Sequence, residues 1–240
     1  MRPLAICLVL LLTASAAGAA EIRSYAVRIQ VHDDGSGRVF AVVKIEAAMP
    51  GAIAIPIGFA KVTDLRMTQG PAGMNIVVTA PNGQTLVQAV LPGGVPPALT
   101  LAFGFLVQDV FLPVTPGPGE RSTLPEGSRV FRHALLNSQQ APIKSYTAEA
   151  IFPGGLRAHA IREALPKLRK SEAGPRVQLD DIDATPGARL QVDRLAQGDS
   201  ASMQIELVPQ SRSGAWLIAG LVLSLAYLVY FKDLVARRAT

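Results

Sequence analysis

Chemistry in a protein needs titratable or nucleophilic side chains brought together, and this chain offers few. Its histidines are His32, His133 and His159, too widely spaced for any recognised metal-ligand motif. Each reads as a surface or loop residue rather than a ligand. The sequence contains no Gly-x-Ser-x-Gly elbow, no His-Glu-x-x-His and no Walker-type phosphate loop. The densest carboxylate group is Asp180-Asp181-Ile182-Asp183. Hard cations take oxygen ligands of this kind, but the spaced acids and distal glutamate of a calcium loop are missing, so a solvated turn is expected. Asp33-Asp34-Gly35 is read in the same way, as part of a reversal.

Basic residues cluster once. Arg157, Arg162, Lys167, Arg169 and Lys170 face only Glu163 between residues 157 and 170. Such a segment could meet anionic lipid headgroups near a bilayer; the plainer reading is a solvated face balanced by acids elsewhere. The single cysteine, Cys7, lies in an apolar N-terminal stretch. A mature chain without it would have no disulfide, no thiolate metal site and no cysteine nucleophile. No catalytic, cofactor-binding or metal-binding residues are therefore assigned from sequence, and no cofactor is expected.

The two ends carry the clearest patterns. Met1-Arg2, the apolar Leu4–Leu12 and the small residues up to Ala17-Gly18-Ala19 have the layout of a signal peptide over residues 1–20. At the other end Gly214–Phe231 is uncharged, with Ser224 its one clearly polar side chain, and is followed by Lys232, Arg237 and Arg238. Eighteen helical residues reach about 27 Å, so the pattern predicts one transmembrane helix contacting the lipid bilayer through Gly214–Phe231. Trp216 at one end, and Tyr227, Tyr230 and Phe231 at the other, suit its interfaces. Ala215/Ala219 and Gly220/Ser224 are small pairs that would permit close helix approach. The charge bias predicts a single-pass inner-membrane protein with residues 21–213 outside the cytoplasm and a short basic tail, 232–240, inside. The absence of Asn-x-Ser/Thr favours a bacterial periplasm over a eukaryotic lumen.

The formal charge of +5 overstates the basicity of the chain between those ends. Without Arg2, Lys232, Arg237, Arg238 and Asp233, 19 basic residues stand against 17 acidic ones. That near balance gives no support to a nucleic-acid partner, which requires a concentrated basic face, and none is expected.

The elements between the ends read as strands. Tyr25, Val27, Ile29 and Val31 alternate on one face, then Val39, Ala41, Val43, Ile45 and Ala47 after an Asp/Gly-rich reversal. Asn82-Gly83 predicts a hairpin between Met74–Thr79 and Thr85–Val90, because both central positions of a type I′ turn need φ > 0. Leu99–Val107 alternates again. Leu112–Ser128, with four prolines and three glycines in 17 residues, predicts a linker. Beyond it Ile143–Phe152, Arg176–Leu179, Ala188–Val192 and Ser202–Val208 read as strands. Arg157–Lys170 reads as a helix interrupted by Pro166, or as strand–turn–strand.

The expected fold is mainly β, with two Ig-like antiparallel sandwiches at 21–111 and 129–209 joined by the linker 112–128. The expected function is that of a non-catalytic, membrane-anchored accessory or scaffold subunit of an envelope complex, with a protein partner in or near the membrane. The alternative is a module that binds glycans or small molecules. Between the ends, however, the chain has no tryptophan and only Tyr25 and Tyr146 as tyrosines. A hydrolase would need a clustered, buried titratable pair opening on a cleft.

Overall fold

The computed structural model describes residues 21–46, 51–80, 84–91, 97–114, 124–139, 142–165, 176–210 and 213–238. The signal-peptide segment, the Asn82-Gly83 turn and most of the Pro/Gly-rich linker lie outside them, as do Lys167, Arg169 and Lys170 of the basic segment.

The protein is mainly β, and its strands follow the period-two alternation that puts every second side chain inside. In chain order they are β1 (Glu21–Val31), β2 (Gly37–Glu46), β3 (Gly51–Pro56), β4 (Val62–Gln69), β5 (Asn75–Thr79), β6 (Leu86–Leu91) and β7 (Ala98–Val107). There follow β8 (Phe111–Pro113), β9 (Arg129–Leu136), β10 (Tyr146–Ile151), β11 (Leu156–Leu165), β12 (Arg176–Ile182), β13 (Thr185–Val192) and β14 (Ser200–Pro209). Among the described residues they form three sheets: a seven-stranded sheet in the order β12-β13-β10-β1-β2-β7-β4, a four-stranded sheet β11-β14-β9-β8, and a three-stranded sheet β3-β6-β5.

Two Ig-like antiparallel sandwiches are not what this chain forms. β1 pairs with β10 in parallel, from Tyr25 opposite Tyr146 to Gln30 opposite Ile151. The large sheet is thus mixed, and it takes strands from both sides of the linker. A single apolar core joins Ile29, Val43 and Phe103 of the seven-stranded sheet to Ile55 and Val87 of the three-stranded sheet and to Phe131 and Ile205 of the four-stranded sheet. Local alternation could not reveal this, because a strand buries the same face whichever neighbour pairs along its edge.

Segment 156–165 resolves to strand. β11 pairs with β14, with register shifts between Ala158 and Ala160 and between Ile161 and Glu163.

The predicted membrane span at Gly214–Phe231 is corrected. A helix, α1 (Ser213–Arg238), does form there. Among the described residues no helix is long and apolar enough to cross a membrane. The single-pass, inner-membrane placement and the outside–inside orientation built on that span are withdrawn with it. Ser224 Oγ donates to the Gly220 carbonyl at 2.8 Å, so its hydroxyl is satisfied within the helix.

Candidate functional site

Among the described residues, titratable groups meet in the interior at one place, and the topology explains why. The parallel β1–β10 register sets Tyr25 beside Tyr146, ring centroids 5.4 Å apart and edge to face. β9, from the four-stranded sheet, brings His133 onto the same spot. Its Nε2 and the Tyr146 hydroxyl share a hydrogen bond of 2.6 Å. The Tyr25 hydroxyl donates to the Pro56 carbonyl of β3 at 3.0 Å. Phe59 closes the cluster, its ring centroid 5.0 Å from that of His133. The two tyrosines therefore tie the large sheet to each smaller one: Tyr146 to the four-stranded, Tyr25 to the three-stranded.

Burial fixes the electrostatics. Desolvation pulls the His133 pKa down to about 4, and raises both tyrosines well above the usual phenol range. All three groups are therefore neutral near pH 7. His133 Nδ1 has no hydrogen-bond partner among the described residues, whichever nitrogen carries the proton. A shallow depression of about 380 Å³ lies close by, over Gly58, Phe59 and Ala134, but neither His133 nor Tyr146 lines it. At 1 % exposure His133 is out of reach of a substrate. The arrangement holds the sheets together through its hydrogen bonds and ring contacts.

His133 is thus a core residue rather than the surface residue expected from sequence. The signal was present: Phe131, His133 and Leu135 stand at alternate positions of β9 and all point inward. His32 and His159 are exposed and lie on other elements. Among the described residues no group of three or more metal-ligating side chains occurs.

The acidic run proves to be a hairpin. β12 pairs with β13 up to Ile182 opposite Thr185, leaving Asp183-Ala184 as a two-residue loop with φ of 53° and 61°. The Asp183 carboxylate accepts from Arg28 at 2.6 Å, and Asp180 Oδ1 accepts from the Asp181 N–H at 2.8 Å. In the other acidic reversal, the Ser36 hydroxyl and then its N–H hold the Asp34 carboxyl below the usual carboxylate range. Of the basic segment, Arg157 and Arg162 lie on β11, and Arg162 is paired with Glu206 of β14.

A second candidate lies on the outside. The outer face of the seven-stranded sheet would ordinarily be polar, yet over β2 and β7 it is partly apolar. Phe40 is 44 % exposed, Val42 38 % and Leu106 37 %. The register lines up Arg28, Phe40, Gly104 and Arg66 across β1, β2, β7 and β4. Gly104 leaves room: a Cβ there would stand 3.5 Å from the Phe40 ring, which leans over it. Arg38, Phe40, Asp64, Arg66, Gly104 and Leu106 border a depression of about 270 Å³.

No protein-family model matches the chain, and no curated protein matches it. Among solved structures it is similar to native leukotriene A4 hydrolase from Saccharomyces cerevisiae, 9% identical with a TM-score of 0.42 over 79% of this chain and 30% of that one. It is also similar to an M1 zinc metallopeptidase from Deinococcus radiodurans, 10% identical with a TM-score of 0.40 over 78% of this chain and 42% of that one. The chain spans less than half the length of either, and likeness of this degree carries no argument about function.

Proposed function

We propose that this chain is a non-catalytic accessory or scaffold subunit that works by binding another protein. The observation that carries the reading is the apolar patch on the outer sheet face, where Phe40, Val42 and Leu106 are exposed on the adjacent strands β2 and β7 of the widest sheet. Contiguous apolar surface rimmed by polar residues is what soluble proteins use for contact with partners. The disposition of the titratable side chains supports the same reading. His133, Tyr25 and Tyr146 are engaged in joining sheets, while Arg23, Arg28, Lys61, Arg162 and Arg189 form ion pairs on the surface.

The test is a photo-crosslinking amino acid in place of Val42 in the full chain expressed in cells, with a second at the exposed Gln178 on β12 as control. One recurrent adduct at position 42 and none at 178 is expected. A chain that purifies monodisperse and yields no adduct at position 42 would overturn the proposal.

A further inference from the structure

Resting on the protein-binding reading, we infer that the outer face of β2 recognises an acidic segment of the partner with apolar residues between its carboxylates. Arg38, Phe40, Val42 and Lys44 occupy every second position of β2 and so stand on one face. The order is cation, apolar, apolar, cation. Neither Arg38 nor Lys44 has a carboxylate within ion-pair distance among the described residues, whereas most other outer-face cations are committed. Arg28 on the neighbouring strand is already held by Asp183 at 2.6 Å. Arg66 gives only its Nε to Asp64, at 2.8 Å, which leaves its outer nitrogens for a second carboxylate.

The spacing narrows the ligand. Six residues of strand separate Arg38 from Lys44, about 20 Å, so one small anion cannot satisfy both. An extended peptide can, its apolar side chains settling over Gly104 and Ala102 between Phe40, Val42 and Leu106. Val42 lies opposite both Ala26 and Ala102, so the floor on either side is low and apolar. The other exposed apolar strip, Val77 and Val90 on the three-stranded sheet, lies opposite Gln88 and Asn75 and has no such charge pattern.

The test uses the full chain and a fluorescein-labelled peptide Asp-Glu-Leu-Phe-Leu-Glu-Asp, with a control peptide in which every acid is lysine. Fluorescence anisotropy should show binding of the acidic peptide, weakening with salt, and none of the control. Arg38→Glu with Lys44→Glu should weaken it roughly tenfold or more, and Phe40→Ser comparably, with melting temperatures unchanged. Arg38→Gln with Lys44→Gln serves if charge reversal impairs folding. Lack of binding by the acidic peptide overturns the inference, as does equal binding of both peptides or indifference to these substitutions. So does equal binding to phosphatidylglycerol vesicles, or self-association of the chain through Phe40, since either gives the face to another occupant. A crosslinked partner at position 42 that ignores the charge variants would sink this inference while leaving the protein-binding reading standing.

Discussion

His133 shows how much one buried polar side chain constrains. Its folded-state pKa of about 4 lies below the ordinary 6.5 of a histidine. As pH falls from 6.5 towards 4, the unfolded chain takes a proton that the folded chain refuses, so stability is lost across that window and levels off below it. The slope is up to about 1.4 kcal/mol per pH unit, on the order of 3 kcal/mol in total. His133→Leu should flatten this limb of a melting-temperature profile taken from pH 7 to pH 4; parallel profiles would refute the assignment. Gly58 is the neighbour that permits the burial. A Cβ on it would lie 2.4 Å from the Ala134 carbonyl oxygen and 2.6 Å from His133 Cε1. Gly58→Ala should therefore cost about 1–3 kcal/mol in thermal or urea unfolding. Gly154→Ala, where a Cβ meets nothing within 4 Å, should be close to neutral. Neither requirement is visible in the string Ile57-Gly58-Phe59, because the atoms that crowd Gly58 come from β9, far along the chain.

Elements differ in how plainly they announce themselves. β1, β2 and β7 are legible because each buries one face and exposes the other over ten or eleven residues. β9 was missed: within it Val130 and Phe131 are both buried, and a histidine stands at an inward position. The β12–β13 hairpin was partly legible, as a polar reversal, but not as a tight loop with Ala184 in the left-handed region at φ 61°. A left-handed non-glycine residue costs about 1–2 kcal/mol. Ala184→Gly should accordingly raise the melting temperature by a few degrees, and an unchanged or lower value would count against the hairpin geometry. The ties between sheets can be tested in the same way. Tyr25→Phe removes only the hydroxyl that donates to Pro56, and should lower stability by about 1 kcal/mol, measured by urea titration.

At the scale of the whole molecule the parallel β1–β10 pair governs everything else. Because β1 lies between β10 and β2, residues 21–114 alone would expose one edge of β1 and lose Phe131, Leu135 and Tyr146 from the core. That fragment should bind a hydrophobic dye and melt without a cooperative transition, while a chain from residue 21 to 210 melts in one step; a cooperative fragment would argue for separable halves. The sequence by itself determined that the protein is mainly β, which faces of the long strands turn inward, and where polar reversals fall. These are nearest-neighbour matters of alternation and turn chemistry, written within a few residues. Only the tertiary structure decided which strands share an edge, that one core serves both halves, and that His133 is buried between Tyr146 and Phe59. It also decided that the outer face of β2 lies beside Gly104 of β7, with Arg66 of β4 beyond it. Those outcomes depend on contacts between residues tens of positions apart, and a strand pattern states which face is buried without stating against what.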